Sequence, residues 1–259
     1  MEIQSGYIYA FAILAGFAAG IINTLSGNGS SITLPLLTFL GLPTGIANAT
    51  NRVGVAAQSL VGFLTFRKGG IKTDKSVIWY LILPAVAGSV AGAQLAVNIN
   101  DKLLNIILAG VMLILLYLVI KNPEKWLANQ IPDTQKLRSI KNLVLMVFIG
   151  FYGGFIQIGV GIFILIELVL GAGYSLNQAN SIKNLLVFSF TLPALLMFAV
   201  QGQINWQLGL LLTLGQASGA WVAANYAVKI PSSNVWIRRL LILVLVWAVL
   251  HFVGRYAGD

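Results

Sequence analysis

The sequence predicts an all-α, polytopic helical membrane protein made of two inverted-topology repeats, each a broken-helix hairpin followed by three transmembrane helices. The chain of 259 residues is 58% hydrophobic and only 9% charged, whereas a soluble domain carries about a quarter charged residues. Apolar runs of about 20 residues recur, which is enough for a helix to cross about 30 Å of hydrocarbon. These runs do not alternate as the strands of a membrane barrel do, so helices are the spanning elements.

The apolar segments fall into two series separated by the longest polar stretch. The first series covers 7–26, 30–41, 44–66, 76–97 and 103–121, and the second covers 143–159, 161–172, 177–200, 206–226 and 236–254. The second segment of each series is short for a full span, so it pairs with the first as a hairpin, either re-entrant or full-length. The predicted organisation is an N-terminal repeat over 1–121, a basic cytoplasmic linker over 122–142 and a C-terminal repeat over 143–259.

Sequence motifs recur in the same order in both series, which indicates a duplication. Ala-Gly-Phe-Ala-Ala-Gly at 15–20 matches Ile-Gly-Phe-Tyr-Gly-Gly at 149–154. Each glycine pair of the GxxxG type predicts close helix packing. A tryptophan and such a pair recur at one constant offset, as Trp79, Gly88 and Gly92 and as Trp206, Gly215 and Gly219.

The loops give the orientation of the two series, because basic residues mark the cytoplasmic side. The loop 67–75 holds four basic residues, whereas its counterpart 201–205 has no charge. The loop 98–102 has one charge of each sign, whereas its counterpart, the turn 227–239, is basic. Equivalent loops are therefore expected on opposite sides of the membrane, as in the inverted repeats of many secondary transporters.

The composition excludes several function classes. The net charge of +9 is explained by basic cytoplasmic loops rather than by a nucleic-acid surface. The absence of cysteine and the single histidine, His251, exclude disulfides, thiol chemistry and a His/Cys metal cluster. No P-loop motif is present. We therefore expect no metal, no cofactor, no nucleic-acid partner and no enzymatic activity.

Two basic residues lie deep inside apolar segments, Arg52 and Lys183. They occupy neighbouring positions in the alignment of the repeats. A cation near the bilayer centre costs at least about 2.5–3.5 kcal/mol and usually faces a cavity or a partner. We expect a positive pocket near the midplane; the alternative is that each cation reaches an interface or pairs with an acid. Replacing either by alanine is expected to reduce anion affinity and to leave folding largely intact.

Two polar, glycine-bearing interruptions lie inside the apolar sequence, around 26–31 and 157–161. A helix that begins after such a break directs free N–H groups and a positive dipole end inward, which favours an anion; the alternative is a packing kink without a ligand. Amides and a hydroxyl near the cations add hydrogen-bonding groups. The predicted substrate-binding set is Arg52, Lys183, Asn51, Asn28, Gly27, Gly29, Ser30, Thr50, Gln157, Gly159, Gly161, Asn180 and Asn184.

Glu167 is the one acidic residue within a predicted span. Two roles are open for it. Its carboxylate either neutralises Lys183 or Arg52, or carries a proton that couples transport.

Three sequence runs resemble the TauE/SafE sulfite exporter family. They are Gly-Leu-Pro-Thr-Gly-Ile-Ala-Asn-Ala-Thr-Asn-Arg and its continuation over 41–67, Gly-Phe-Tyr-Gly-Gly-Phe-Ile-Gln-Ile-Gly-Val-Gly over 150–161, and Gln-Ala-Asn-Ser-Ile-Lys-Asn over 178–184. The resemblance implies a multi-pass transporter of the bacterial or archaeal cytoplasmic membrane for small anions such as sulfite and sulfonates. Family members commonly show Gly-x-Gly-Gly-Gly where Ser-Gly-Asn-Gly-Ser stands at 26–30, and an apolar residue is expected at Glu167.

The sequence thus predicts a secondary transporter that moves a small anion by alternating access at a midplane site. A passive anion channel and a non-transporting membrane interaction or assembly protein are the alternatives. The expected partners are a small anionic substrate and the lipid bilayer. The sequence leaves open the exact substrate, the direction of transport, the coupling ion and whether the chain forms a homodimer.

Overall fold

The computed structural model describes residues 2–73, 75–121, 132–228 and 246. This part of the chain is helical and contains no strand, so the all-α prediction is confirmed for it. Most of the predicted segment 236–254 lies outside the described residues.

The helices coincide with the predicted apolar segments. The first half forms α1 (Glu2–Ser26), α2 (Ser30–Phe39), α3 (Thr44–Lys68), α4 (Lys75–Asn98) and α5 (Asp101–Lys121). The second forms α6 (Thr134–Leu137), α7 (Ile140–Phe155), α8 (Val160–Leu165), which continues as a π-helical segment (Ile166–Gly171), α9 (Leu176–Val200) and α10 (Trp206–Ala227). The short helix α6 and the first turn of α7 fall within the stretch predicted as the linker.

Local sequence signals explain where the later helices begin. Ser175 and Gln178 form a capping box at the start of α9, each side chain bonding the backbone of the other. The Asn205 side chain accepts the N–H of Leu208 at 3.1 Å at the start of α10, and Ser139 caps α7 in the same way. These polar side chains satisfy N–H groups that a helix start leaves free.

Three of the described helices contain stretches that are long and apolar enough to cross a membrane: Gly6–Ser26, Val77–Asn98 and Leu176–Val200. Their outer faces carry large exposed apolar side chains, among them Leu14 and Leu196, at 67% and 66% exposure. Such faces are stable against lipid, and their backbone groups are paired within the helices. The chain is therefore an integral helical membrane protein.

Glycines bring helices from the two halves into backbone contact. A Cβ at Gly88 or Gly92 in α4 would overlap the carbonyl oxygen of Val147 or Phe151 in α7. The corresponding pair in α10, Gly215 and Gly219, meets the carbonyl oxygens of Ile13 and Phe17 in α1. The close packing predicted from the GxxxG pairs is confirmed. In both interfaces residue numbers rise together along the two helices, so α1 is parallel to α10 and α4 is parallel to α7.

The helices α3 and α9 pack against each other at the centre of the molecule. Arg52 in α3 lies against Phe198 in α9, whereas Gly62 further along α3 lies against Asn184 near the start of α9. The order of these contacts shows that α3 and α9 are antiparallel.

Candidate functional site

Both interruptions predicted from the sequence are breaks between helices. Gly27, between α1 and α2, has a φ of 76°, and Gly159, between α7 and α8, has a φ of 68°. Glycine adopts this left-handed backbone without steric cost, whereas Gln157, at a φ of 69°, does so under strain. A Cβ at Gly27 would overlap the backbone of Gly161. The two breaks therefore meet backbone to backbone.

Arg52 is fully buried and binds the end of α7. Its Nη1 donates to the Gly153 carbonyl at 2.9 Å, and its Nη2 donates to the carbonyls of Gly154 and Phe155 at 2.7 and 3.2 Å. These carbonyls belong to the last turn of a helix, where no intrahelical donor is available and the dipole end is negative. Its Nε has no partner, and its guanidinium carbon lies 4.9 Å from the centroid of the Phe198 ring.

Lys183 makes the corresponding contacts with the end of α1. Its Nζ donates to the carbonyls of Asn23 and Thr24 at 2.8 and 2.7 Å and to the Oδ1 of Asn180 at 2.7 Å. An ammonium has three N–H donors, so all of them are used. The cation of α3 thus caps a helix of the second half, and the cation of α9 caps a helix of the first half.

Arg52 and Lys183 neither reach an interface nor pair with an acid of the described residues, which were the alternatives considered for them. Arg52 and Lys183 are 0% and 1% exposed, so neither reaches an interface. In the described part of the chain, no carboxylate forms an ion pair with either side chain, and the pairing with Glu167, one of the two roles left open for that residue, is not formed. Glu167 instead lies in the π-helical segment, beside Gly171. Its coupling role stays a prediction.

Asn51 connects the first break to two other helices. Its Nδ2 donates to the Ser30 hydroxyl at 2.9 Å, and its Oδ1 accepts from the Thr33 hydroxyl at 2.6 Å. The Oδ1 also accepts from the Gln216 amide of α10 at 3.3 Å. At this break, Asn28 accepts a hydrogen bond from the Ser31 hydroxyl. The predicted residues Asn51, Asn28 and Ser30 are therefore brought together.

The second break has its own polar partners. The Gln157 amide donates to the Thr191 hydroxyl at 2.6 Å, and the Asn48 amide donates to the Phe155 carbonyl at 2.8 Å. Thr50 is not brought to the breaks: its hydroxyl accepts the N–H of Asn205 at 2.9 Å, ahead of α10.

Sequence reasoning missed several residues of this polar core. Gln216, Asn48 and Thr191 were not assigned to the site, although all three are at most 1% exposed. Their signal in the sequence is an isolated amide or hydroxyl within an apolar segment. That signal is common in membrane helices, so it does not single out a site without knowledge of which helices meet.

Several buried polar atoms in this core have no hydrogen-bond partner among the residues that the structure describes. Such atoms cost about 1–3 kcal/mol each when they stay unpaired, so native proteins rarely keep many of them. A concentration of them indicates a core that receives water or a polar ligand. They are Thr24 Oγ1, Asn28 Nδ2, Asn48 Oδ1, Arg52 Nε, both amide atoms of Gln58, Ser59 Oγ, Gln157 Oε1, Ser181 Oγ, Asn184 Nδ2 and Gln216 Oε1.

Broken helices, buried cations and an apolar exterior are features typical of membrane transporters. The chain belongs to the TauE/SafE sulfite exporter family, whose sequence profile matches residues 12–252. It is a membrane transporter and not an enzyme.

Three curated relatives carry transporter names. A Sinorhizobium protein named probable membrane transporter protein ORF9 is 30% identical, with 88% of this chain and 86% of the relative aligned. A probable membrane transporter protein of Haemophilus influenzae is 26% identical, with 84% of each chain aligned. The probable membrane transporter protein YfcA of Escherichia coli K12 is 26% identical, with 92% and 86% aligned. No solved structure matches the chain.

Proposed function

We propose that this chain is a secondary transporter of the bacterial or archaeal cytoplasmic membrane that moves a small anion by alternating access. The substrate is sulfite, a sulfonate or a related sulfur-containing oxyanion. The observation that carries the proposal is the pair of fully buried cations, Arg52 and Lys183, one in each half and each beside a helix break.

The charge balance of the core supports an anionic substrate. A helix C-terminus carries roughly half a negative charge, so the ends of α7 and α1 offset about half of the charge of Arg52 and Lys183. Roughly one positive charge in total is left over, with no carboxylate paired to it in the described residues. A monovalent oxyanion would balance this charge. The Nε of Arg52 and the Nδ2 of Asn28 have no partner among the described residues and are suited to donate to its oxygens.

The arrangement of the helices supports two inverted repeats, 1–121 and 143–259, joined by the linker 122–142. A two-fold axis in the membrane plane would superimpose α3 on α9. Such an axis requires the two helices to be antiparallel, and they are. The same axis would exchange the α1–α10 and α4–α7 interfaces, which are both parallel. It would also exchange the two caps made by Arg52 and Lys183. Rocking of one structural unit against the other would then expose the midplane site to each side in turn.

Flux through liposomes containing the purified protein tests this function. A carrier gives saturable sulfite uptake that is accelerated by unlabelled sulfite preloaded inside the vesicles. A passive channel gives uptake that rises linearly with concentration and does not respond to preloading. Absence of flux would identify a non-transporting membrane protein. A panel of sulfite, thiosulfate, sulfonates and carboxylates in a thermal-shift assay identifies the substrate, because a ligand bound to the native state raises its stability.

A further inference from the structure

A second polar cluster lies on α3 and α9, away from Arg52. A Cβ at Gly62 would lie 2.9 Å from the Asn184 Nδ2 and 3.4 Å from the Thr24 Cγ2. The absence of a side chain at Gly62 therefore allows the amide of Asn184 in α9 and the methyl group of Thr24, at the end of α1, to approach the backbone of α3.

Four donor groups of this cluster are buried and have no partner in the described part of the chain. The hydroxyls of Thr24, Ser59 and Ser181 and the Nδ2 of Asn184 are without a hydrogen bond, and these side chains are at most 1% exposed. Ser59 precedes Gly62 by three residues, and Ser181 precedes Asn184 by three. Residues three apart share a helix face, and α3 and α9 are antiparallel, so the two serines flank the Gly62–Asn184 contact from opposite sides, each about 4.5 Å away along its helix.

The chemistry of the cluster selects an oxyanion. Three hydroxyls and an amide NH2 can all donate hydrogen bonds. Lys183, next to Asn184 in the chain, supplies positive charge, and its ammonium binds the Thr24 carbonyl at 2.7 Å. Since all three of its N–H groups are used, it contributes through its field and not through a direct bond. A cationic ligand would be repelled by Lys183, because no carboxylate of the described residues forms an ion pair with it.

The cluster is separate from the part of the core that contains Arg52. Gly62 is ten residues after Arg52 in α3, which is about 15 Å along the helix. A small oxyanion cannot contact both positions on α3 at once. The Gly62 end of α3 leads to the basic residues Arg67 and Lys68, and the Arg52 end leads away from them.

We propose that Thr24 and Asn184, flanked by Ser59 and Ser181, form a second oxyanion subsite around Gly62, between the midplane site and the basic end of α3. The subsite rests on the proposed transport function and adds a second binding position to the substrate path. A transported oxyanion occupies it when it enters or leaves on the basic side.

Isosteric substitutions test the subsite with little change in packing. Thr24→Val removes the hydroxyl and keeps the shape, whereas Thr24→Ser keeps the hydroxyl. One hydrogen bond to a charged ligand corresponds to roughly a tenfold change in affinity. In liposome flux with sulfite, Thr24→Val is expected to raise the KM roughly tenfold, and Thr24→Ser is expected to match the wild type. Asn184→Asp places a negative charge beside the oxyanion and is expected to abolish saturable uptake.

Glycine substitutions give a second, matched pair. Gly62→Ala places a methyl group against the Asn184 amide and is expected to raise the KM for sulfite. Gly110→Ala in α5 is the control, because a Cβ there meets open space. Thermal unfolding of every variant shows whether it is folded.

The outcomes separate this inference from the proposed function. If the wild type shows neither saturable flux nor sulfite binding, the transport function itself is wrong. If the wild type transports sulfite while Thr24→Val and Asn184→Asp, both folded, transport it with an unchanged KM, the cluster holds water only and the subsite is wrong.

Discussion

Arg52 and Lys183 have a structural role, which is to cap helix ends, in addition to the proposed role in anion binding. Their depth in apolar segments led to the expectation that both face a pocket, with an interface or an acidic partner as the alternative. Their partners were not predictable, because the acceptors are backbone carbonyls about a hundred residues or more away along the chain. Any backbone carbonyl is chemically equivalent to another, so only the tertiary structure, which brings the Arg52 side chain to the end of α7 and the Lys183 side chain to the end of α1, selects these.

The first prediction separates the charge of Arg52 from its hydrogen bonds. Arg52→Gln removes the charge and leaves part of the end of α7 without donors, at a cost of about 1–3 kcal/mol for each buried carbonyl left unpaired. We expect a lower Tm and at least a tenfold weaker affinity for sulfite. This revises the expectation from sequence that folding stays largely intact. Arg52→Lys keeps the charge and is expected to retain more affinity than Arg52→Gln at a similar Tm.

Lys136→Gln provides the control for loss of a positive charge, since the Lys136 side chain is 64% exposed. It is expected to leave both Tm and sulfite affinity unchanged. Wild-type affinity in folded Arg52→Gln protein would contradict a role for this cation in the anion site.

A second prediction concerns Glu167, whose role the sequence left open. If its carboxylate carries a coupling proton, Glu167→Gln fixes that position in a neutral form of the same size. The pH dependence of sulfite flux is then expected to disappear, while flux at the most favourable pH is partly retained. Full pH dependence in the variant would exclude the proton-carrier role.

At the scale of the elements, the two helix breaks were the feature that sequence predicted best. Glycines at 27 and 159 have the positive φ angles that only glycine adopts without strain. The contact between the breaks and the π-helical segment after α8 were not predicted. Both depend on how chain segments far apart in sequence meet, and apolar periodicity contains no information about that.

Gly161→Ala tests the contact between the breaks. The added Cβ would overlap the Gly27 backbone, and backbone cannot move aside as a side chain can. We expect the variant to lose sulfite transport and to unfold at a lower temperature, whereas Gly110→Ala, in an open position, is expected to keep both. Normal transport by Gly161→Ala would mean that the breaks separate without functional consequence.

At the scale of the whole molecule, the order of the motifs predicted the duplication, and the basic loops predicted its inversion. The parallel and antiparallel helix contacts support that topology. The exchange of helices between halves was not predictable: glycine pairs mark a close interface, but they do not identify its partner.

Cysteine labelling tests the orientation of the halves, and the natural chain contains no cysteine that would interfere. Lys72→Cys lies in the basic loop after α3, and Gln203→Cys lies in the corresponding uncharged loop after α9. With a membrane-impermeant maleimide applied to intact cells, we expect labelling of Gln203→Cys and labelling of Lys72→Cys only after permeabilisation. Equal labelling of both from one side would contradict the inverted topology.

The glycine interfaces also determine whether the two halves of the chain would be stable as separate fragments. The backbones of Gly215 and Gly219 in α10 are in close contact with α1, and those of Gly88 and Gly92 in α4 are in close contact with α7. A fragment ending within the linker would therefore present a bare helix groove that its own sequence cannot fill. Two fragments produced together are expected to form a stable complementing pair, and each fragment alone is expected to be degraded. Each half therefore depends on the other for folding, although the same sequence motifs recur in both.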